Sequence, residues 1–308
     1  MNCLVVDKMH ESLLPMLKEI GIVAVYHPEI SRSEIKNMIA DFDGMIIRSK
    51  TFVDEDLLGN SNIKFVGRAG SGIDNLDVPY LESKGVKIVN APEGNRDAVG
   101  EHTVGMILSL LHNLHQAHEQ VLSNTWDREG NRGIELGSLT VGIIGYGNMG
   151  GSLAKKLQSF GCKVIAYDKY HTEFTNDWAQ SVSLKELQAQ ADILSLHIPL
   201  TDETLNMTSG TFFNDFKKNI LFINTSRGEV APLASIVEAM QKGKIVKAAL
   251  DVLENEKLNK LTPEQTKNMK WLKDSGRVIF TPHVAGWTIE SYIRINEVLV
   301  QKIGHIFN

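Results

Sequence analysis

"VGIIGYGNMG", residues 141 to 150, is the stretch whose reading decides the fold. Val141, Ile143 and Ile144 make a short apolar run of strand type. Gly145, Gly147 and Gly150 follow with the spacing G-x-G-x-x-G, enclosing Asn148 and Met149, and "SLAKKLQSF" then continues with helical spacing. A strand, a tight glycine turn and a helix in this order let the backbone approach a pyrophosphate, whose charge comes to lie at the helix N-terminus. Taken alone the pattern is weak, and a packing role for the glycines fits it as well. The next apolar run, "KVIAYD", ends in Asp168, roughly 20 residues beyond the first glycine, where a carboxylate accepts bonds from the ribose hydroxyls of NAD and repels the 2′-phosphate of NADP. Lys169 beside it acts in the opposite sense, so NAD is favoured while NADP stays open.

Outward from this turn the same rhythm repeats. "CLVVD", "VAVYH", "GMIIR", "KFVGR" and "VKIVN" precede it, and "KVIAYD", "ADILSLHI", "NILFINTS", "IVKAALDV" and "RVIFTP" follow it, with helical stretches between. Strands alternating with helices predict an α/β protein with parallel sheets covered on both faces. Two sets of strands in 308 residues predict two doubly wound (Rossmann/flavodoxin-like) domains with a cleft between them. "NRDAVGEHTVGMILSLLHNLHQAHEQVL", residues 95 to 122, reads as one long helix joining them. The closing amphipathic stretch, residues 289 to 308, is expected to return to the first domain. The expected division is therefore 1–97 with 287–308 as a discontinuous substrate-binding domain, and 98–286 as the NAD-binding domain. Residues 253 to 276 are polar and lysine-rich, an excursion beside the second sheet.

Composition removes several function classes. A net charge of −5, with no basic tail or stripe, argues against nucleic-acid binding. There is no signal peptide pattern and no apolar stretch near the ~20 residues needed to span a bilayer. Cys3 and Cys162 are far apart and unpatterned, which points to a reduced, cytoplasmic protein. His112, His115 and His118 sit three apart, and on a helix such steps spread them around a broad polar face rather than a ligand set. They are read as a solvated or subunit-contact face, and no metal is expected.

In an open parallel sheet the strand ends point at the ligand crevice. "LFINTSRGEV" places Thr225, Ser226 and Arg227 at one such end, "AALDVLENE" places Asp251 and Glu256 after another, and "IFTPHVAGW" places His283 after a third. Singly, each has an ordinary reading as a surface charge or a structural histidine. Together they bring Arg, Glu and His to one edge.

The order of "VGIIGYGNMG", "NTSRGEV", "KAALDVLENE" and "TPHVAGWT", with "RAGSGIDN" and "NAPEGNRDAVGEHT" upstream, resembles the D-isomer-specific 2-hydroxyacid dehydrogenases over nearly the whole chain. The resemblance implies a catalytic set of Arg227, Glu256 and His283. It also implies that Asp251, the segment Thr225 to Arg227 and Gly286 lie toward the nicotinamide, and Thr204 toward the phosphates. The family usually has proline after the catalytic glutamate. Here Lys257 stands there, and Glu254 is the alternative if the match slips by two. Imidazole can both take and return a hydroxyl proton near neutral pH, and an adjacent carboxylate favours its charged form. Arg227 suits bidentate binding of a substrate carboxylate.

The resemblance further implies that backbone N–H groups at Ser71 and Gly72 meet the substrate carboxylate. Arg48 and Arg68 lie in segments that look like those of the 3-phosphoglycerate dehydrogenases, where two arginines would hold a phosphate. The alternative is that they pair with carboxylates such as Asp74 or Asp77. The expected activity is oxidation of 3-phosphoglycerate to 3-phosphohydroxypyruvate, the first step of serine biosynthesis, by a homodimer contacting through the linking helix and "SNTWDREG". An ending at Asn308 is expected to mean no C-terminal regulatory domain and no feedback by serine. The rivals are a glyoxylate or hydroxypyruvate reductase and a non-catalytic NAD(H)-sensing corepressor.

Overall fold

Five short strands form the first sheet: β1 Asn2–Val5, β2 Val23–Tyr26, β3 Gly44–Ile47, β4 Phe65–Arg68 and β5 Lys87–Asn90. The computed structural model describes residues 1–174 and 177–307. All pairings in this sheet are parallel, in the order β2-β1-β3-β4-β5. Alternate residues go to opposite faces: Cys3 and Val5 pack with Leu13, Leu17, Ile295, Leu299 and Ile303, whereas Leu4 and Val6 pack with Ile35, Ile39, Leu57 and Leu81. Covering both faces explains why these strands read as unbroken apolar runs rather than alternating ones. Ile295, Leu299 and Ile303 lie four apart on the helix Ile289–Phe307, so they form one stripe that is buried on the sheet. These elements belong to one compact unit, Met1–Asp97 with Trp287–Asn308.

The other unit, Ala98–Gly286, holds seven parallel strands. They are β6 Thr140–Ile144, β7 Lys163–Tyr167, β8 Gln180–Ser181, β9 Ile193–Leu196, β10 Ile220–Asn224, β11 Ile245–Leu250 and β12 Val278–Phe280. Their order is β12-β11-β10-β9-β6-β7-β8. The strand order reverses between β6 and β9, which makes the carboxyl ends of those strands the place where a crevice opens. Here too neighbouring residues part: Ile143, Ile193 and Ile223 join one core with Ile107, Leu110 and Leu153, and Ile144, Leu194 and Phe222 join the other with Phe213, Phe216 and Ile236.

The single helix expected over 95–122 is not formed. One helix runs Pro92–Leu111 and a second Leu114–Leu122, with Asn113 between them at φ 55°. Asn is among the few residues that tolerate this left-handed conformation. The break is held from β11: Lys247 Nζ donates to the Leu110 carbonyl at 3.3 Å and to Asn113 Oδ1. His112 falls in the turn and is not on the same helix as His115 and His118, so the regular three-residue spacing does not carry over into space. The excursion 253–276 contains a helix, Pro263–Asp274, started by a reciprocal cap between Thr262 and Gln265 and buried through Met269 and Leu272. No helix among the described residues is long and apolar enough to cross a membrane.

Candidate active site

The glycine turn follows β6 directly and runs into the helix Asn148–Leu157. Gly145 has φ 91°, and a β-carbon there would run into the carbonyl oxygen of His197 at the end of β9. A β-carbon at Gly150 would strike the carbonyl of Gly145. At Gly147 nothing lies within 4 Å, so the turn is tight on its inner side and open on its outer side. An open, side-chain-free surface at a helix N-terminus fits a pyrophosphate. Asn148 and Met149 form the first turn of that helix.

Asp168, just beyond β7, accepts N–H groups from Tyr146 at 2.7 Å, Tyr170 at 2.8 Å and His171 at 3.0 Å. Partial burial works to raise its pKa, but these three bonds prevail and hold it below the usual carboxylate value. Lys169 is engaged by Glu203 at 2.6 Å, so its charge is met by another carboxylate. An anionic group at this strand end, with the neighbouring cation engaged elsewhere, fits the ribose of NAD.

His197 was not foreseen from the sequence. Its Nε2 lies 2.8 Å from Ser195 Oγ, its Nδ1 is enclosed without a partner, and burial pushes the imidazole down to about 4. Between pH 6.5 and pH 4 the unfolded chain therefore binds a proton that the folded chain refuses. Stability is expected to fall as pH drops through that window, by about 3 kcal/mol in full, and then to level off. Urea midpoints from pH 7 to pH 4 check this: the His197→Gln variant should lack this part of the slope.

β10, β11 and β12 are adjacent and parallel, so the loops that follow them leave from one edge. After β10, buried Asn224 shapes the turn: its Oδ1 accepts from Ser226 N at 3.0 Å and Ser226 Oγ at 2.8 Å, and its Nδ2 donates to the Arg227 carbonyl at 2.9 Å. Arg227 Nη1 donates to the Ser226 carbonyl at 2.7 Å. Gly228 allows this turn to sit against the backbone of Leu253 and Glu254, where a β-carbon would not fit. Thr225 lies 3.4 Å, oxygen to oxygen, from Thr103 on the helix Pro92–Leu111.

After β11 comes Asp251, 2% exposed. Its Oδ1 accepts from the Thr281 hydroxyl at 2.5 Å and Val284 N at 2.9 Å, its Oδ2 from Ala285 N at 2.9 Å, and its carbonyl from His283 N at 2.8 Å. The turn from Thr281 to Ala285, which leads to Gly286, hangs from this residue. His283 sits in it at φ 54°, and its Nδ1 is 2.8 Å from Glu256 Oε1. A carboxylate only accepts, so Nδ1 carries the hydrogen and Nε2 is left for chemistry. Both side chains are about half exposed. Glu254, the alternative partner, lies instead beside Gln265, with burial raising its pKa. With lysine at 257, the loop is braced by Asn255, which accepts from Lys257 N at 3.0 Å and donates to the Lys260 carbonyl at 3.0 Å.

Three residues assigned to the cofactor by resemblance have their side chains engaged within the protein. Asp251 holds the His283 turn, Ser226 is committed to Asn224, and the Thr204 hydroxyl donates to the Pro199 carbonyl at 2.7 Å while accepting from Thr201 N at 2.8 Å. These side chains position the loops around them.

In the first unit, Arg48 and Arg68 follow β3 and close β4, neighbouring strands. The Arg48 guanidinium lies over the ring of Trp287 at 3.6 Å and of Tyr292 at 4.8 Å, and burial pulls its pKa down. Arg68 folds back over Gly70, where a β-carbon would collide with its guanidinium. The Ser71 carbonyl accepts from Asn90 Nδ2 at 2.6 Å, which fixes the turn containing Ser71 and Gly72. The aromatic seat of Arg48 was not visible in the sequence, because Trp287 and Tyr292 are remote from it along the chain.

Residues 104–285 match the model of the "D-isomer specific 2-hydroxyacid dehydrogenase, NAD binding domain". The chain is 35% identical to a D-3-phosphoglycerate dehydrogenase of Bacillus subtilis, over 97% of this chain and 56% of that protein. It is 31% identical to a hydroxypyruvate reductase of Thermotoga maritima, over 96% of this chain and 94% of that protein. Among solved structures, a D-lactate dehydrogenase of Aquifex aeolicus complexed with NAD and lactic acid is similar with a TM-score of 0.83 and 26% identity, covering 99% of this chain and 95% of that one. The chain spans little more than half the length of the phosphoglycerate dehydrogenases it matches. With the glycine turn, Asp168 and the strand-end loops as described, and a domain match over more than half its length, the chain belongs to the D-isomer specific 2-hydroxyacid dehydrogenase family and carries its NAD-binding domain.

Proposed function

We propose that this protein is an NAD-dependent dehydrogenase acting on a D-2-hydroxy acid, with 3-phosphoglycerate as the substrate. The observation that carries this reading is the His283–Glu256 pair, with Nε2 left for proton transfer, on the same sheet edge as Arg227. Bound NAD would supply the hydride acceptor. His283 Nε2 is placed to take the proton of the C2 hydroxyl while that oxygen becomes a carbonyl, and Glu256 to stabilise the resulting imidazolium. In the reverse direction the same nitrogen returns the proton. Arg227 holds the carboxylate and polarises the reacting oxygen. Ser71 and Gly72 are assigned to the carboxylate through their backbone N–H groups, and Arg48 and Arg68 to a phosphate. Asp168 favours NAD over NADP.

One observation favours a second reading, hydroxypyruvate reductase: the Thermotoga relative of that name is matched over nearly its whole length. The two readings separate on Arg68. Steady-state kinetics should give wild type a lower KM for the phosphorylated acid than for hydroxypyruvate. Arg68→Ala should raise the former about 100-fold and leave the latter nearly unchanged, as expected for loss of a charge-assisted contact. Equal use of both acids, insensitive to the variant, would favour the reductase. A homodimer is part of the proposal, since Val121, Leu122, Trp126 and Ile134 are all more than half exposed. Light scattering on the same preparation would read its mass.

A further inference from the structure

The helix Pro92–Leu111 crosses the carboxyl ends of β10 to β12 with the face that carries His102 and Thr103. His102 Nε2 lies 3.1 Å from Thr281 Oγ1 and 3.7 Å from Asp251 Oδ1. The Thr281 hydroxyl has one proton, and it is donated to Asp251 Oδ1. Thr281 must therefore accept from His102, which fixes the hydrogen on Nε2. The rest of the arrangement follows in order. Thr281, Val284 and Ala285 are held on the Asp251 carboxylate, and His283 between them keeps a left-handed backbone that residues other than glycine seldom adopt.

We propose that His102 is a positioning residue for the His283 turn, acting through Thr281 and Asp251; the proposal rests on His283 being the proton-transfer group. His102 does not touch the reacting atoms. Its N–H orients the Thr281 hydroxyl so that the buried carboxylate keeps its full set of donors. Without that N–H the Thr281 hydroxyl loses the partner that fixes it against the buried carboxylate, and its bond to Asp251, one of those that hold the turn, is weakened.

Two variants test this. His102→Leu removes the donor and keeps apolar bulk; His102→Gln keeps an N–H at similar reach. Amide exchange at Val284 and Ala285 should be about 10-fold faster in His102→Leu and near wild type in His102→Gln. With hydroxypyruvate and NADH, kcat should fall about 10-fold in the leucine variant and stay within about 3-fold in the glutamine variant, with the KM for NADH and the Tm unchanged in both. Unchanged exchange in His102→Leu would overturn the proposal, and so would equal losses in both variants accompanied by a lower Tm. The exchange measurement does not depend on turnover. If exchange responds as expected while the wild type turns over no acid, the positioning role of His102 holds and the dehydrogenase reading fails.

Discussion

Replacing His283 with asparagine is expected to lower kcat about a thousandfold while leaving NADH binding within about 3-fold of wild type. The size follows from what is lost. Asparagine can still donate toward Glu256 from the position of Nδ1, and it tolerates the left-handed backbone at this site, so the turn should survive. It cannot exchange a proton near neutral pH, and the outward nitrogen is gone. Glu256→Gln should cost less, about 30-fold, because it removes only the charge that stabilises the imidazolium. Single-turnover rates alongside a fluorescence titration with NADH separate the two effects. Equal loss of binding and turnover in His283→Asn would mean that the residue is structural.

Gly145→Ala is expected to act on the other half of the site. The residue has φ 91°, and its β-carbon would meet the His197 carbonyl. Left-handed strain and overpacking together cost about 2–4 kcal/mol, shared between stability and cofactor affinity. NADH binding should weaken at least about 30-fold, with a lower Tm. Gly147→Ala is the informative partner. Its φ of −90° suits any residue and nothing lies within 4 Å, so its Tm should hold. If the pyrophosphate approaches over this residue, NADH affinity should still fall about 10-fold. A Gly147→Ala variant with unchanged affinity would show that the outer face of the turn is not the binding surface.

Much of this was legible in the sequence because it is local. The central strands of both sheets are buried on both faces, so runs such as Leu4 to Val6 or Ile143 to Ile144 stand out without any partner being known. The glycine turn and Asp168 are neighbours through two adjacent strands. Arg227, Glu256 and His283 lie in the loops that follow β10, β11 and β12, and a parallel sheet brings such loops to one edge. What was not legible depends on contacts distant along the chain. The break at Asn113 is made by Lys247, which takes the Leu110 carbonyl that a continuous helix would have used. The inward turn of Asp251 is visible only with the donors of residues 281 to 285 in place. His102 reads as one more polar position on a helix until Thr281 is seen beside it. Arg48 reads as a strand-end arginine for a phosphate or a neighbouring carboxylate, and nothing in the sequence shows that Trp287 and Tyr292 are stacked against it.

The His283–Glu256 pair is proposed to serve proton transfer in the reaction of NAD with a D-2-hydroxy acid. The most direct test is the absorbance of NADH followed with 3-phosphohydroxypyruvate, hydroxypyruvate and glyoxylate in turn, with the configuration of any chiral product determined. The prediction is NADH oxidation with at least the phosphorylated acid, a D product, and loss of the signal in His283→Asn. NADH that binds but is oxidised by none of the three, or a product of L configuration, would contradict it.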